Sequence, residues 1–332
     1  MTLRYRDGLV PNLLAGSYAI GGYALGLFLI TRDAPLALVA GTLLLGHAMV
    51  IAAFLFHECA HNTIFASNKD NARLGNVLIW ICGGIYCRYE QLRHKHFRHH
   101  VDRADVVAYD YRPVLARHPQ LVKLITALEW AYVPALDIYH HVMVLVLPFT
   151  RESREDDRTR VAGLLLLRVV LFAALGLYAP LALPAYFVAW MLMLTVLRFM
   201  DAFQHSYEVA ENLDSPRAPL PAHRDAAFEV RNTFTNLHSL RHPWLNLFTL
   251  NFGYHNAHHE KPAEPWHHLP ALHAQYYGEH CPQNVPFSEQ LAAYHRHRLT
   301  RVLSADAPDS NVLREHSRHF VGADGVSFLV GH

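Results

Sequence analysis

NLLAGSYAIGGYALGLFLI-TRD-APLALVAGTLLLGHAMVIAAFLF, residues Asn12 to Phe56, is the stretch whose reading decides the architecture. Asn12–Ile30 carries no charged side chain, and Ala34–Phe56 carries none apart from a titratable His47. At about 1.5 Å of rise per residue, each run as a helix is long enough to cross a hydrocarbon core roughly 30 Å thick. Only Thr31, Arg32 and Asp33 separate them. A link that short predicts a tight transmembrane hairpin whose two ends face the same compartment. No clear small-residue cleavage site follows the first run and a second run begins at once, so the pair reads as membrane anchors rather than a secretion signal.

A second pair lies further on, Val161–Tyr178 and Leu181–Leu197, with Ala179 and Pro180 as the turn. Arg168 falls inside it, and an arginine there is expensive unless it snorkels or faces a polar interior. Between the pairs, Leu121–Phe149 is largely apolar but interrupted by Lys123, Glu129, Pro134, Asp137, His140 and His141. Its uninterrupted tail, Val142–Phe149, is too short to span, so the stretch reads as interfacial helices or a re-entrant piece. Residues 57–123 hold ten Lys or Arg and residues 151–160 four Arg, whereas the two turns hold only Arg32. The positive-inside rule then puts both termini and every large loop in the cytoplasm. The expectation is an all-α polytopic membrane protein with four spans in two hairpins, forming one domain: 12–56 the first hairpin, 57–160 a cytosolic histidine-rich and interfacial region, 161–197 the second hairpin, and 198–332 a cytosolic cap and tail. The tail from Ala305 carries no chemical signal. The alternative, buried core helices of a soluble protein, accommodates two long uncharged runs in tandem poorly.

Composition agrees. Of 332 residues, 52% are hydrophobic and only 17% charged, against roughly 25% charged in a typical soluble domain. Lys and Arg number 29 and Asp and Glu 28, a net charge of +1. That excludes a strongly basic nucleic-acid binder and an acidic-tail protein, and no nucleic-acid partner is expected. The four cysteines form no CxxC pair, so neither a disulfide framework nor a thiolate zinc site is indicated. The outlier is histidine, with 26 residues.

The histidines cluster. Directly after the second run stands His57-Glu58-Cys59-Ala60-His61. A helix puts His57 and His61 on one face, a turn apart. His96, His99 and His100 form HxxHH, and His255, His258 and His259 form the same pattern again. Two copies of one five-residue pattern exceed what a histidine-rich composition produces by chance. Eight imidazoles are too many for one zinc, which takes four ligands, and suit two first-row metals. Iron has the redox chemistry that would justify a double site at a membrane. His205 is a ninth candidate, just past the fourth run, with Asp201 one turn before it as a possible orienting partner. Asp102, Asp105 and Glu260 are further candidates for carboxylates that support a ligand. His47 reads as a polar interhelical contact. His94, His140, His141, His267, His268 and His273 read as structural, supporting or solvent-facing.

These boxes, in this order and on two predicted hairpins, resemble the membrane fatty acid desaturase superfamily, over roughly residues 10 to 275. The signature is shared by lipid desaturases, lipid hydroxylases, carotenoid ketolases and alkane hydroxylases. Asn251-Phe252-Gly253-Tyr254-His255 through Pro262 and Trp266-His267-His268-Leu269-Pro270 look more like bacterial acyl-chain desaturases than alkane hydroxylases. The resemblance implies a non-haem di-iron centre under a mostly helical cytosolic cap, ligated by the eight box histidines with His205 as the additional ligand. It also implies dioxygen as cosubstrate, an acyl-lipid or fatty acyl substrate reached from the membrane, and a bacterial inner-membrane location. No fused haem-binding donor domain is evident, so a separate ferredoxin-type or similar electron donor and its reductase are implied.

Three other readings compete. A hydroxylase would use the same scaffold. A metal-binding or transport protein would place histidines along the spans, whereas only His47 is clearly inside one. HECAH is also literally HExxH, the zinc-protease motif with Glu58 as general base, although such a protease needs only one further ligand.

Overall fold

A segment with no water to bond must satisfy its backbone groups internally, and an uncharged run does so as an α-helix. The computed structural model describes residues 1–207, 210–213, 219–278, 280–303 and 329–330. In it the two opening runs are helices α1 (Leu9–Ile30) and α2 (Pro35–Ala60), with Pro35 in the first turn of α2, where its missing N–H costs nothing. There follow α3 (Asn68–Ile81), α4 (Tyr89–Asp102), β1 (Asp105–Val107), α5 (Arg112–Arg117), α6 (Pro119–Trp130), α7 (Ala135–Thr150), α8 (Arg158–Tyr178), α9 (Ala182–Asp201) and β2 (Ala210–Asn212). The chain continues with α10 (Ala226–Asn232), α11 (His255–Glu260), α12 (Leu269–Tyr276), α13 (Phe287–Arg296) and α14 (Arg298–Leu303). The protein is all-α. β1 and β2 add a parallel pair with Asp105 opposite Ala210.

Among the described residues, four helical segments are long and apolar enough to cross a membrane: α1, α2, α8 with the turn before it, and α9. The chain is an integral membrane protein. Leu13, Leu14, Leu166, Val169, Val170 and Leu177 stand exposed on α1 and α8, a surface that belongs against lipid rather than water. α7 is apolar but has only 16 residues, with Pro148 inside it.

The chain divides into two compact units, Met1–Gln91 with His141–Val196, and Leu92–His140 with Leu197–Gly331. In the first, small residues let helices approach closely, the usual device where lipid supplies no hydrophobic drive. A Cβ on Gly26 of α1 would lie 2.9 Å from the Leu45 Cβ of α2, and one on Gly41 only 2.7 Å from the Leu29 Cβ and 2.9 Å from the Ile30 nitrogen. His47 receives the Tyr18 hydroxyl across the same helix pair at 2.6 Å, the interhelical role expected of it. Arg168 is buried rather than exposed to lipid: its Nη2 donates to the Trp80 carbonyl at 2.5 Å, its Nη1 reaches the Tyr186 hydroxyl at 3.4 Å, and its guanidinium lies 4.4 Å from the Trp80 ring centre. The protein interior thus provides the polar partners that hydrocarbon lacks. Arg160 donates to the carbonyls of Ile85, Tyr86 and Cys87, which ties the start of α8 to the loop before α4.

The second unit carries its own apolar clusters, among them Ala202, Phe203, Phe234, Val285, Ala293 and Tyr294. Two charges that bar Leu121–Phe149 from spanning are interior here. Glu129 is 0% exposed, pairs with Arg198 at 2.8 Å, and also accepts the Ala135 N–H at the start of α7. Asp137 lies 3.6 Å from the same arginine. The tail from Ala305 falls outside the described residues apart from Leu329 and Val330. Those two are buried, and the Val330 carbonyl accepts the buried Lys95 Nζ at 2.8 Å.

Candidate metal centre

The HxxHH spacing works because residues three and four apart share a helix face. On α4 it turns His96, His99 and His100 inward, while His94 stays exposed. The helix then ends at Arg103, in the left-handed region with φ +46°. That reversal brings the Ala104 carbonyl back to accept from His99 Nδ1 at 2.9 Å. On α11 the same spacing presents His255, His258 and His259, all buried. Two left-handed residues, Leu250 and Asn251, turn the chain into this helix. The Asn246 side chain braces the turn by accepting the His238 and Ser239 N–H groups and donating to the Ser239 carbonyl. Gly253 is required by packing, since a Cβ there would sit 2.8 Å from the Asn236 carbonyl oxygen.

His205 follows α9 and is held from both sides. Ser206 donates its N–H to Asn232 at the end of α10, and Phe234 donates to Gln204. Tyr207 stacks on the His205 ring at 4.4 Å. These anchors bring His205 to the middle of a group. Its Nε2 lies 2.9 Å from His99 Nε2 and 2.7 Å from His255 Nε2, and His259 completes four buried imidazoles whose ligand atoms fall within 4.8 Å of one another. In the same unit, His100 Nε2 lies 3.1 Å from His96 Nε2 and 3.2 Å from His258 Nε2. His57 and His61 end α2 in the first unit, both buried, with ring centres 4.8 Å apart.

The separations of 2.9–3.2 Å fit ligands of a shared metal, and the 2.7 Å pair is shorter. Imidazole nitrogens about 2.1 Å from a metal stand about 3.0 Å apart at right angles and about 3.4 Å apart at tetrahedral angles. Protonation also favours ligation. Burial, then the neighbouring His99 and His259, holds His205 well below the ordinary histidine range, and burial followed by His205 does the same to His255. Both rings are therefore neutral near pH 7, the form that donates a lone pair. The histidine clusters are positioned to coordinate two metal ions.

Beside the four-histidine group is a cavity of about 40 Å³, lined by His96, His99, His205 and His255 together with Lys95, Asp105, Asp201, Gln204, Val106 and Phe252. It has room for a few molecules the size of water, hence for dioxygen but not for an acyl chain. Asp105 is buried with one carboxylate oxygen lacking a hydrogen-bond partner, and that burial pushes its carboxyl up to about 7.

The carboxylate that orients a box histidine is one the sequence did not single out. Glu229 of α10 accepts from His259 Nδ1 at 2.9 Å, and Thr233 of the same segment lies 3.5 Å from His205 Nδ1. Neither has a spacing that ties it to a box; a β-bridge between His205 and Thr233 joins the segments. Of the carboxylates proposed from sequence, Asp102 takes the Arg98 guanidinium and Glu260 meets the Tyr277 hydroxyl, while Asp105 and Asp201 line the cavity. His140 packs on Tyr111, His141 on Trp190, His268 bonds Glu264, and His273 packs on Tyr254. Glu58 is buried and one of its carboxylate oxygens accepts the Thr63 hydroxyl at 2.6 Å.

Fold and site together define an integral membrane protein that gathers buried imidazoles around two metal positions. The chain matches the fatty acid desaturase family over residues 33–290 and belongs to it. No curated protein and no solved structure matches the chain. Family and site make it an oxidoreductase, with histidine clusters consistent with a non-haem di-iron centre and with desaturase or hydroxylase chemistry.

Proposed function

We propose that the protein desaturates the acyl chain of a fatty acid or membrane lipid. His99, His205, His255 and His259 hold one iron, and His96, His100 and His258 hold the other; His57 and His61 are the remaining two ligands. The observation that carries this reading is the grouping of four buried imidazoles, two of which come within 2.9 Å of His205 Nε2, in a chain of the desaturase family. Ligated iron supplies the reductive activation of dioxygen needed to break an unactivated C–H bond. Two hydrogens leave adjacent carbons, and with two electrons and two protons from outside they reduce dioxygen to two waters.

The protein's own residues do the rest. The Ala104 carbonyl and Glu229 accept hydrogen bonds from the Nδ1–H groups of His99 and His259, which leaves the Nε2 lone pairs for the metal position. Tyr207, Phe252 and Val106 wall this region with carbon and limit bulk water. The cavity admits dioxygen, and the acyl chain enters separately by an apolar path from the membrane.

The four spans form two hairpins, 12–56 and 161–197, and the remaining segments build a cytosolic cap, the whole being one domain. The membrane is a bacterial inner membrane with both termini on its cytoplasmic side, an orientation supported by the concentration of Lys and Arg in residues 57–123 and 151–160. Electrons come from a separate ferredoxin-type donor and its reductase. The test is iron content of the detergent-purified protein, paired with lipid analysis of cells that express it and supply a donor. About two irons per chain and a new unsaturated acyl species are expected. Two irons with a hydroxylated product would replace desaturation by hydroxylation. One zinc and unchanged lipids would overturn the assignment.

A further inference from the structure

We propose that Glu229 is a positioning residue for one of the two metals, acting through His259 and held in place by Arg103. This rests on the ligand assignment above. Glu229 is the second residue of a bridge from the α4 terminus to α11: its Oε2 accepts Arg103 Nε at 2.7 Å and its Oε1 accepts His259 Nδ1 at 2.9 Å. Each oxygen thus has a separate task. Arg103 is fixed in turn, because its Nη1 donates to the Arg224 carbonyl at 2.5 Å and its backbone occupies the left-handed turn that closes α4. The helix that carries Glu229 is capped by the Asp225 side chain, which accepts the Phe228 N–H at 2.8 Å. The carboxylate therefore sits on a braced support, with its orientation set before any metal arrives.

The chemistry follows from the bond to Nδ1. A carboxylate accepting the Nδ1 proton fixes the tautomer, so that Nε2 keeps its lone pair for the metal, and it raises the basicity of the ring. His99 Nδ1 donates to a neutral carbonyl, that of Ala104. His259 is therefore the stronger electron donor of the two, and the iron they share is favoured in its oxidised state relative to the same iron with the Glu229 charge removed. Arg103 offsets the formal charge of Glu229 through its own bond to Oε2, while Oε1 acts on the ring through the Nδ1 hydrogen bond.

The test compares wild type with Glu229→Gln and Glu229→Ala, read by iron affinity, Mössbauer spectrum and reduction potential rather than by turnover alone. Gln retains an acceptor for Nδ1 but not the charge; Ala retains neither. One iron is expected to bind about 10–100-fold more weakly in Glu229→Ala, with a smaller loss in Glu229→Gln. Its Mössbauer signal shifts while the other iron's signal is unchanged, and its potential rises in both variants. Wild-type affinity, spectrum and potential in both variants would overturn the proposal. So would parallel loss of both irons together with a lowered melting temperature of the metal-free protein, which would mark Glu229 as a fold element only. If either variant fails to fold, Arg103→Gln, which leaves the His259 contact in place but unbraced, is expected to shift the same iron signal; no shift there also overturns it. A wild-type protein without two irons would instead refute the ligand assignment on which the proposal stands.

Discussion

Replacing His205 by alanine is expected to empty one metal position and spare the other. His205 is central to its group: its Nε2 is the atom within 2.9 Å of both His99 Nε2 and His255 Nε2. A four-ligand structural site of nitrogen and sulfur donors is worth roughly 10–16 kcal/mol. Shared among four ligands, that is about 3 kcal/mol each, or a loss of affinity of about 100-fold. The alanine leaves a buried gap near the cavity that water can enter, so a replacement water ligand would recover part of the loss, and about 30-fold is the smaller expected figure. The assay is iron content of detergent-purified protein equilibrated across buffered ferrous ion concentrations. Wild type should fill two sites, whereas His205→Ala should show one site displaced 30- to 100-fold and the other within a few-fold of wild type. His273→Ala is the control, since that ring is equally buried but packs on Tyr254 and Tyr277; it should keep both irons. An unchanged two-site curve in folded His205→Ala protein would refute the reasoning, because a central ligand cannot be dispensable.

Three further outcomes are expected. In metal-free protein, burial keeps His205 and His255 neutral below the usual histidine range, so as pH falls below about 6.5 the unfolded chain takes up protons first; stability present above that pH is lost on acidification, and melting curves between pH 5 and 8 that stay level would contradict this. Asp105 has the opposite sign, its carboxyl being raised to about 7 by burial, so the cost of its charge develops between about pH 4 and 7, and Asp105→Asn should raise the melting temperature of metal-free protein at pH 8 but not at pH 4. Gly41→Ala and Gly26→Ala should each destabilise the α1–α2 contact by about 1–3 kcal/mol, since the added carbon meets backbone and Cβ atoms at 2.7–3.0 Å, whereas Gly16→Ala, which meets nothing within 4 Å, should be silent in the same thermal assay.

The spans and the boxes were legible in the sequence because both rest on local periodicity. An uncharged run of some twenty residues has one solution in lipid, and α1, α2, α8 and α9 begin and end within a few residues of the predicted runs. Histidines at offsets of three and four share a face on any helix, so HxxHH marks a candidate ligand pair before the tertiary fold is known. His205 was legible for a different reason, its place just beyond the fourth span.

What the chain order could not show was which residues meet across long separations. The four-histidine group draws on α4, the turn after α9, and α11, and its grouping splits both HxxHH boxes: His99 and His259 join His205 and His255, while His96, His100 and His258 form the other set. Neighbouring residues on a helix point about 100° apart, so adjacent histidines fall into different groups once the helices are packed. Glu229, thirty residues before His259, became its partner only through the fold of α10. Arg168 looks misplaced in the sequence and is satisfied only when Trp80 and Tyr186 arrive from other segments. Helix and ligand type follow from local stereochemistry and solvent; partner choice depends on distances that only packing sets.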